Sequence, residues 1–162
     1  MTYMVKHSIN AITPKFAVVY KATNYTLSSG LPFSATLQFD SLEQSTGMGL
    51  SLSSNAVVLE RKNYIVYFKS SFSNSSEQRG ATVSLSLNGS TVSSADRMDA
   101  LFSSNTLLAT APYSSPMPYA YAYISASAGD LLTVVYTRTA GSGFSDTFNS
   151  IQCKIFVVEC GS

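Results

Sequence analysis

Short stretches of alternating apolar and polar residues recur along this chain at intervals of about ten residues. Segment 33–39 alternates over its whole length, with Phe33, Ala35, Leu37 and Phe39 on one side and polar residues on the other. A period of two places successive side chains on opposite faces of a β-strand. The same reasoning predicts strands at 15–22, 33–39, 55–60, 64–72, 81–87, 106–111, 117–126, 131–138 and 151–160.

These runs predict an all-β fold, because about eight to ten short strands at regular spacing are typical of a sandwich or barrel. Glycine, serine, asparagine and proline separate the runs, and Asn88-Gly89 predicts a turn after segment 81–87. We expect segment 93–104 to cross between sheets rather than to form one or two helical turns. The absence of strand–helix–strand alternation argues against a parallel α/β fold.

Segment 117–126 alternates between large and small side chains. One face carries Met117, Tyr119, Tyr121 and Tyr123, and the other carries Ala120, Ala122, Ile124 and Ala126. One of these faces must belong to the core. We interpret the tyrosine column as a subunit interface, since tyrosine has an apolar ring and a polar end. The alternative is that the tyrosines form the core and the alanines face solvent. Ile65 and Tyr67 give segment 64–72 a similar two-sided character.

Composition narrows the possible partners. Charged residues make up 12% of the chain and the net charge is +1, which gives no basic footprint for nucleic acid. No apolar run approaches the roughly 20 residues of a membrane span, and residues 1–16 lack the apolar centre of a signal peptide. Cys153 and Cys160 share one predicted strand but face opposite sides, which argues against a disulfide between them. We therefore expect synthesis in a cytoplasm, reduced thiols and no membrane insertion.

The set of catalytic side chains is small. The single histidine, His7, lies near the N-terminus, and no Cys/His cluster has the spacing of a zinc site. Four carboxylates, Asp40, Glu43, Asp130 and Asp146, could reach a calcium ion, but their spacing does not require one. The sequence therefore predicts a protein that is not an enzyme and has no cofactor.

Several motifs occur in a recognisable order. They are Phe16-Ala-Val-Val, Leu37-Gln-Phe-Asp40, Asn63-Tyr-Ile-Val-Tyr-Phe, Val83-Ser-Leu-Ser-Leu-Asn-Gly89, Ala128-Gly-Asp130 followed by Leu131-Leu-Thr-Val-Val-Tyr136, and a terminal apolar strand. Together they resemble the jelly roll of tumour necrosis factor and of the complement globular heads. Asn63 departs from the family, which usually has glycine before this tyrosine, and the closing aromatic-glycine pattern is absent.

The resemblance implies a ten-stranded antiparallel jelly-roll sandwich over residues 15–162 that forms a homotrimer. In that family, aromatic residues of the inner sheet line the trimer axis. Carried over to this chain, Tyr119, Tyr121 and Tyr123 fall on the axial strand, and Tyr67 falls on its neighbour.

Two functions remain open. The first is a structural protein of a virion, such as a bacteriophage capsid decoration or fibre protein. It would dock on a capsid or tail protein through residues 1–14, with contacts from Tyr3, Val5, Ile9 and Ile12. The second is a knob that binds a receptor or cell-surface glycan through apical loops, since loops carry function on rigid sandwiches. The aromatic residues proposed for that role are Phe102, Tyr113, Phe144 and Phe148.

Overall fold

The computed structural model describes residues 14–28, 33–69, 72–74, 79–92, 98–102, 113–114, 119–138, 145–148 and 153–160. These residues form sixteen β-strands and contain no helix. The strands are β1 (Phe16–Tyr20), β2 (Tyr25–Ser28), β3 (Phe33–Thr36), β4 (Ser41–Gln44), β5 (Ser51–Ser53), β6 (Ala56–Val58), β7 (Asn63–Lys69), β8 (Phe72–Asn74), β9 (Arg79–Leu87), β10 (Ser90–Thr91), β11 (Met98–Phe102), β12 (Tyr113–Ser114), β13 (Tyr119–Ser125), β14 (Leu131–Arg138), β15 (Ser145–Phe148) and β16 (Lys154–Cys160). Within the described ranges, no helical segment has the length and apolar character to cross a bilayer.

A five-stranded sheet has the order β13-β7-β16-β1-β4, with every neighbouring pair antiparallel. Its strands are rich in Val, Ile, Tyr and Phe, which suit a pleated surface. The pairing of β1 with β16 joins the beginning and the end of the described chain. This sheet therefore combines strands that are distant in sequence, as expected for a jelly roll.

The second sheet has seven strands. Its main order is β10-β9-β14-β6-β5, while β3 pairs with β14 and β11 pairs with β9. Four short strands pair separately in the order β12-β8-β15-β2. The predicted all-β antiparallel sandwich is confirmed.

The core combines residues of the five- and seven-stranded sheets. Its fully buried side chains include Tyr64 and Phe68 from the first sheet and Leu85, Leu132 and Tyr136 from the second. The rings of Phe39 and Phe68 meet edge to face with centroids 6.3 Å apart, a geometry that adds to the area burial of aromatic pairs. Burial of each large apolar side chain contributes about 1.5–3 kcal/mol, so this cluster is the main source of stability.

The predicted turn after segment 81–87 is confirmed. Asn88 and Gly89 have φ angles of 51° and 82°, the left-handed pair that a two-residue hairpin turn requires. The Asn88 side chain donates to Asp130 Oδ1 and accepts from the Leu131 amide, both at 2.9 Å. The bond from the Asn88 side chain and one from the Ser127 amide stabilise the carboxylate and lower the pKa of Asp130. The hydrogen bonds of Asn88 therefore connect the turn to the start of β14.

Several predicted strand boundaries differ from the structure, and two of the differences change the strand pairing. Residues 98–102, which we expected to cross between sheets, form β11 and pair with β9 from Met98↔Val83 to Phe102↔Arg79. Because β9 is nine residues long and β10 covers only its C-terminal end, β11 satisfies backbone groups that would otherwise stay unpaired on that edge. The segment predicted at 64–72 ends at Lys69, and Phe72 begins β8 in the four-stranded sheet. The strand predicted at 106–111 lies outside the described residues.

Candidate interaction face

The five-stranded sheet separates its side chains into two sets because its strands alternate without a bulge. Ala120, Ala122 and Ile124 of β13 are buried, with exposed fractions of 3–5%. Tyr121 and Tyr123 lie between them on the opposite face, with exposed fractions of 50% and 65%. The alanines therefore belong to the core, and the alternative in which the tyrosines fill it is wrong.

The outward side chains form rows across the sheet. In one row Tyr121 pairs with Tyr67, Tyr67 with Phe156, and Phe156 with Val18. The Tyr67 and Phe156 rings are tilted by 35° with centroids 6.1 Å apart, within the range of favourable aromatic pairs. Cross-strand neighbours of this kind stabilise a sheet and also form a continuous surface.

A second row lies parallel to the first. It contains Tyr123, Ile65, Val158 and Phe16, again in register across β13, β7, β16 and β1. We call the two rows together the aromatic face, defined as Phe16, Val18, Ile65, Tyr67, Tyr121, Tyr123, Phe156 and Val158. In the single chain Phe16 is 53% exposed, Ile65 49% and Tyr67 38%. This is a contiguous apolar surface of a kind that monomeric proteins rarely leave uncovered.

A polar row borders the aromatic face where β7 ends and β16 begins. Lys69 is paired with Lys154, and Lys154 is paired with Tyr20. The Lys154 Nζ lies 5.7 Å from the centre of the Tyr20 ring, within cation–π range. The Tyr20 hydroxyl donates to Glu43 Oε1 at 2.8 Å. The Glu43 carboxylate raises the pKa of Tyr20, since it stabilises the protonated phenol.

The opposite end of the sheet carries an ion network. Lys62 Nζ lies 2.9 Å from Glu159 Oε2 and 3.3 Å from Glu60 Oε2. Lys15 Nζ lies 3.8 Å from Glu159 Oε1. The two carboxylates raise the pKa of Lys62. Beside this network is an open depression of about 520 Å³ lined by Arg61, Lys62, Asn63, Ser125, Ala126, Ser127, Glu159 and Cys160. Its lining combines cationic side chains, one carboxylate and small polar groups.

Three of the four carboxylates weighed as calcium ligands have other partners, and the side chain of Asp146 lies outside the described part of the structure. Asp40 accepts from Lys21 Nζ at 2.6 Å and from the Ala22 amide at 2.9 Å. The lysine contact is the main reason why the pKa of Asp40 falls to about 2. Glu43 is bonded to Tyr20, and Asp130 to Asn88. Across the described ranges, no three histidine, cysteine or carboxylate side chains are grouped to hold a metal.

The structure brings together part of the residue set that the sequence suggested. Tyr67, Tyr121 and Tyr123 lie on the aromatic face, and the backbone of Tyr119 pairs with Lys69. Three aromatic residues expected in loops lie in strands instead: Phe102 in β11, Tyr113 in β12 and Phe148 in β15. Their loop assignment is wrong, because each segment finds an antiparallel partner. Phe144 and the arm residues Tyr3, Val5, Ile9 and Ile12 lie outside the described residues.

Sequence reasoning missed the polar row. The alternation of β7 and β16 places Lys69 and Lys154 on the outward face, but it does not show that these strands are neighbours. The pairing of Tyr20 with Glu43 was missed for the same reason, since it needs β1 beside β4. The detectable signal was limited to the parity of each lysine relative to the aromatic residues in its own strand.

Neither a protein-family model nor a curated protein sequence matches the chain. Solved structures do match it. Murine APRIL at pH 8.0 is 15% identical with a TM-score of 0.58, and the match covers 91% of this chain and 100% of that one. Murine APRIL at pH 5.0 is 12% identical with a TM-score of 0.56 and the same coverage. Eiger TNF from S. frugiperda is 18% identical with a TM-score of 0.52, covering 93% of this chain and 95% of that one.

The chain has a tumour necrosis factor-like jelly-roll fold. The resemblance inferred from motif order is confirmed at the level of the fold, since the matches extend over nearly the whole of each chain. Identities below 20% establish the fold and carry no substrate, receptor or partner to this chain.

Proposed function

We propose that this protein is a non-enzymatic binding or structural module that assembles as a homotrimer through its aromatic face. The observation that carries the proposal is the outward exposure of the two rows across β13, β7, β16 and β1. Tyr121 and Tyr123 are at least half exposed in the single chain. Covering such a surface removes apolar area from water and stabilises the assembly at roughly 25 cal/mol per Å².

The chemistry of the face favours another copy of the chain as its occupant. Its two rows contain aromatic and branched aliphatic residues with no charge, the composition of an interface centre. Tyrosine suits this place because the hydroxyl can find a hydrogen-bond partner while the ring is buried. The tumour necrosis factor-like fold supports three-fold closure, because aromatic residues of the corresponding sheet line the trimer axis in that family.

Analytical ultracentrifugation tests the assembly directly. The wild-type chain is expected to sediment with three times its 17.3 kDa mass. Tyr121→Asp should abolish the trimer at micromolar concentration, because it would bury carboxylates without partners near one another. Tyr121→Phe keeps the ring and serves as the matched control, which should remain trimeric.

Circular dichroism must show the same β content in both variants, so that a loss of mass reports dissociation and not unfolding. A wild-type chain that is monomeric at micromolar concentration would refute the proposal. So would a Tyr121→Asp variant that sediments like the wild type.

Within this proposal, the role of a virion component remains a prediction. A capsid decoration or fibre protein would use residues 1–14 to dock on another virion protein, and low charge with an exposed assembly face suits such a particle. Deletion of residues 1–14 should abolish co-sedimentation with purified particles and leave the trimer intact. Retained particle binding by the deleted protein would contradict the docking arm.

The alternative, a trimeric knob that binds a receptor or glycan, makes a different prediction. Phe144→Ala should weaken binding to a glycan array at least tenfold and preserve the trimer. The matched control is Phe16→Leu, which changes an aromatic residue of the assembly face and should leave glycan binding unaltered. A wild-type trimer that binds no glycan would leave the particle role as the better account.

A further inference from the structure

Lys69 and Lys154 lie directly opposite each other on neighbouring strands. They are register partners in the antiparallel pair β7–β16, and both side chains are half-buried. Directly opposed side chains in an antiparallel pair have Cβ atoms about 4.5–5.5 Å apart, and like charges in this position are destabilising. The pair therefore needs a compensating group.

The described residues offer little compensation. In the described part of the chain, no carboxylate forms an ion pair with either lysine. Lys154 rests over the Tyr20 ring, and the nearby acid, Glu43, is bonded to the hydroxyl of that same tyrosine. Among the described side chains, no aromatic ring lies in cation–π contact with Lys69. Among the described side chains at this place, Lys69 and Lys154 carry two positive charges and Glu43 carries one negative charge.

Assembly would make this imbalance worse. In the proposed trimer the polar row continues the aromatic face, so closing the face draws three lysine pairs toward one end of the assembly. The two lysines and the one carboxylate give each protomer a local charge of +1 there, and three protomers together give +3. Loss of water around ammonium groups strengthens their mutual repulsion. A bound anion would offset this repulsion.

We propose that the Lys69–Lys154 pair binds an oxyanion of the phosphate or sulfate class, and that assembly closes this site. Two ammonium groups on adjacent strands can donate to different oxygens of one tetrahedral anion, which is a charge-assisted arrangement. The Tyr20 ring holds Lys154 in place beside the site. This inference rests on the proposed trimer, although the lysine pair exists in the single chain.

The test compares inorganic phosphate with chloride at constant ionic strength and pH 7.5. Sedimentation equilibrium first establishes the oligomeric state of the wild type. We expect millimolar phosphate to lower the trimer dissociation constant at least tenfold relative to chloride, and isothermal calorimetry to detect phosphate binding. Low concentration matters because phosphate at high concentration stabilises proteins nonspecifically.

Lys69→Met and Lys154→Met should each abolish the response to phosphate. These variants keep a long apolar stem, so they should fold and remain trimeric without the anion. Arg61→Gln is the matched control, because it removes one positive charge just before the other end of β7 and should retain the full phosphate effect. Equal phosphate responses in the wild type and both methionine variants would overturn the site.

Glu43→Gln separates the anion from a competing explanation. If Glu43 of a neighbouring copy neutralised the lysines, this variant would weaken the trimer and the wild type would not respond to phosphate. That result would overturn the anion site and leave the trimer standing. A monomeric wild type would refute the trimer instead, and calorimetry would then decide whether the lysine pair binds phosphate by itself.

Discussion

On the inward face of the five-stranded sheet, the apolar side chains of β13, β7, β16 and β1 are at most 5% exposed, whereas apolar side chains on the outward face are up to 65% exposed. The same strands supply both faces. Val66 and Phe68 point inward from β7, and Ile65 and Tyr67 point outward from the residues between them. Apolar character alone therefore does not explain which face is buried within the subunit.

Side-chain size separates the two faces at β13. Ala120 and Ala122 are small enough for the opposing sheet to approach closely, and such close packing stabilises the core. Tyr121 and Tyr123 are too large for that side and carry a hydroxyl that needs a partner. The comparison teaches that an alternating strand can serve its own core on one face and an assembly on the other.

Phe68→Ala should give the largest difference in the free energy of unfolding between the inward and the outward face. Phe68 is fully buried and packs against Phe39, so its truncation should lower the free energy of unfolding by about 3–5 kcal/mol. Urea denaturation in the monomeric Tyr121→Asp background would measure the subunit alone. The outward control, Tyr67→Ala in the same background, should cost clearly less. Similar costs for both variants would mean that the two faces do not differ as described.

The second largest difference in the free energy of unfolding should come from enlarging a side chain on each face. Ala122→Leu adds volume to a closely packed position, so it should destabilise the subunit by about 1–3 kcal/mol. Tyr123→Leu introduces the same residue on the neighbouring outward position and should stay within about 0.5 kcal/mol in the monomeric background. Both values come from urea denaturation. If Ala122→Leu left the free energy of unfolding unchanged, the inward face would not be closely packed at this position.

Threonine substitutions at the adjacent residues Val66 and Ile65 test the same difference between the inward and the outward face. Val66→Thr places a hydroxyl in the core and should cost the subunit about 1–3 kcal/mol. Ile65→Thr keeps a β-branched side chain on the outward face, so the subunit should be nearly unaffected. It should instead raise the trimer dissociation constant about tenfold, equivalent to about 1.4 kcal/mol. Sedimentation equilibrium checks this, and an unchanged constant would count against the aromatic face as an interface.

The smallest expected effect on stability comes from the ion pair between Asp40 and Lys21 at the edge of the five-stranded sheet. Asp40 contacts Lys21 just beyond β1, and its folded-state pKa of about 2 lies below the ordinary value of 3.8. A lowered pKa in the folded state gives stability that is present above pH 3.8 and lost as the pH falls through about 2. Urea midpoints between pH 2 and pH 6 should therefore fall more in the wild type than in Asp40→Asn. Identical pH profiles would contradict this contribution.

Much of the fold could be predicted because alternation is local. Val83 and Leu85 share one face of β9, and Tyr121 and Tyr123 share one face of β13, as a period of two along single strands predicts. The turn at Asn88-Gly89 follows from residues that tolerate positive φ. Strand ends were less predictable, since β11 exists because the edge of β9 needs a backbone partner.

The sequence by itself determined which side chains share a face of each strand, because that property depends only on the pleat of the backbone. Tertiary structure decided which strands are neighbours, and therefore that Lys69 meets Lys154 and that Tyr67 meets Phe156. It also decided that the alanines of β13 face inward and the tyrosines outward. These outcomes depend on packing between segments far apart in the chain, where the volume of one sheet face must match that of another.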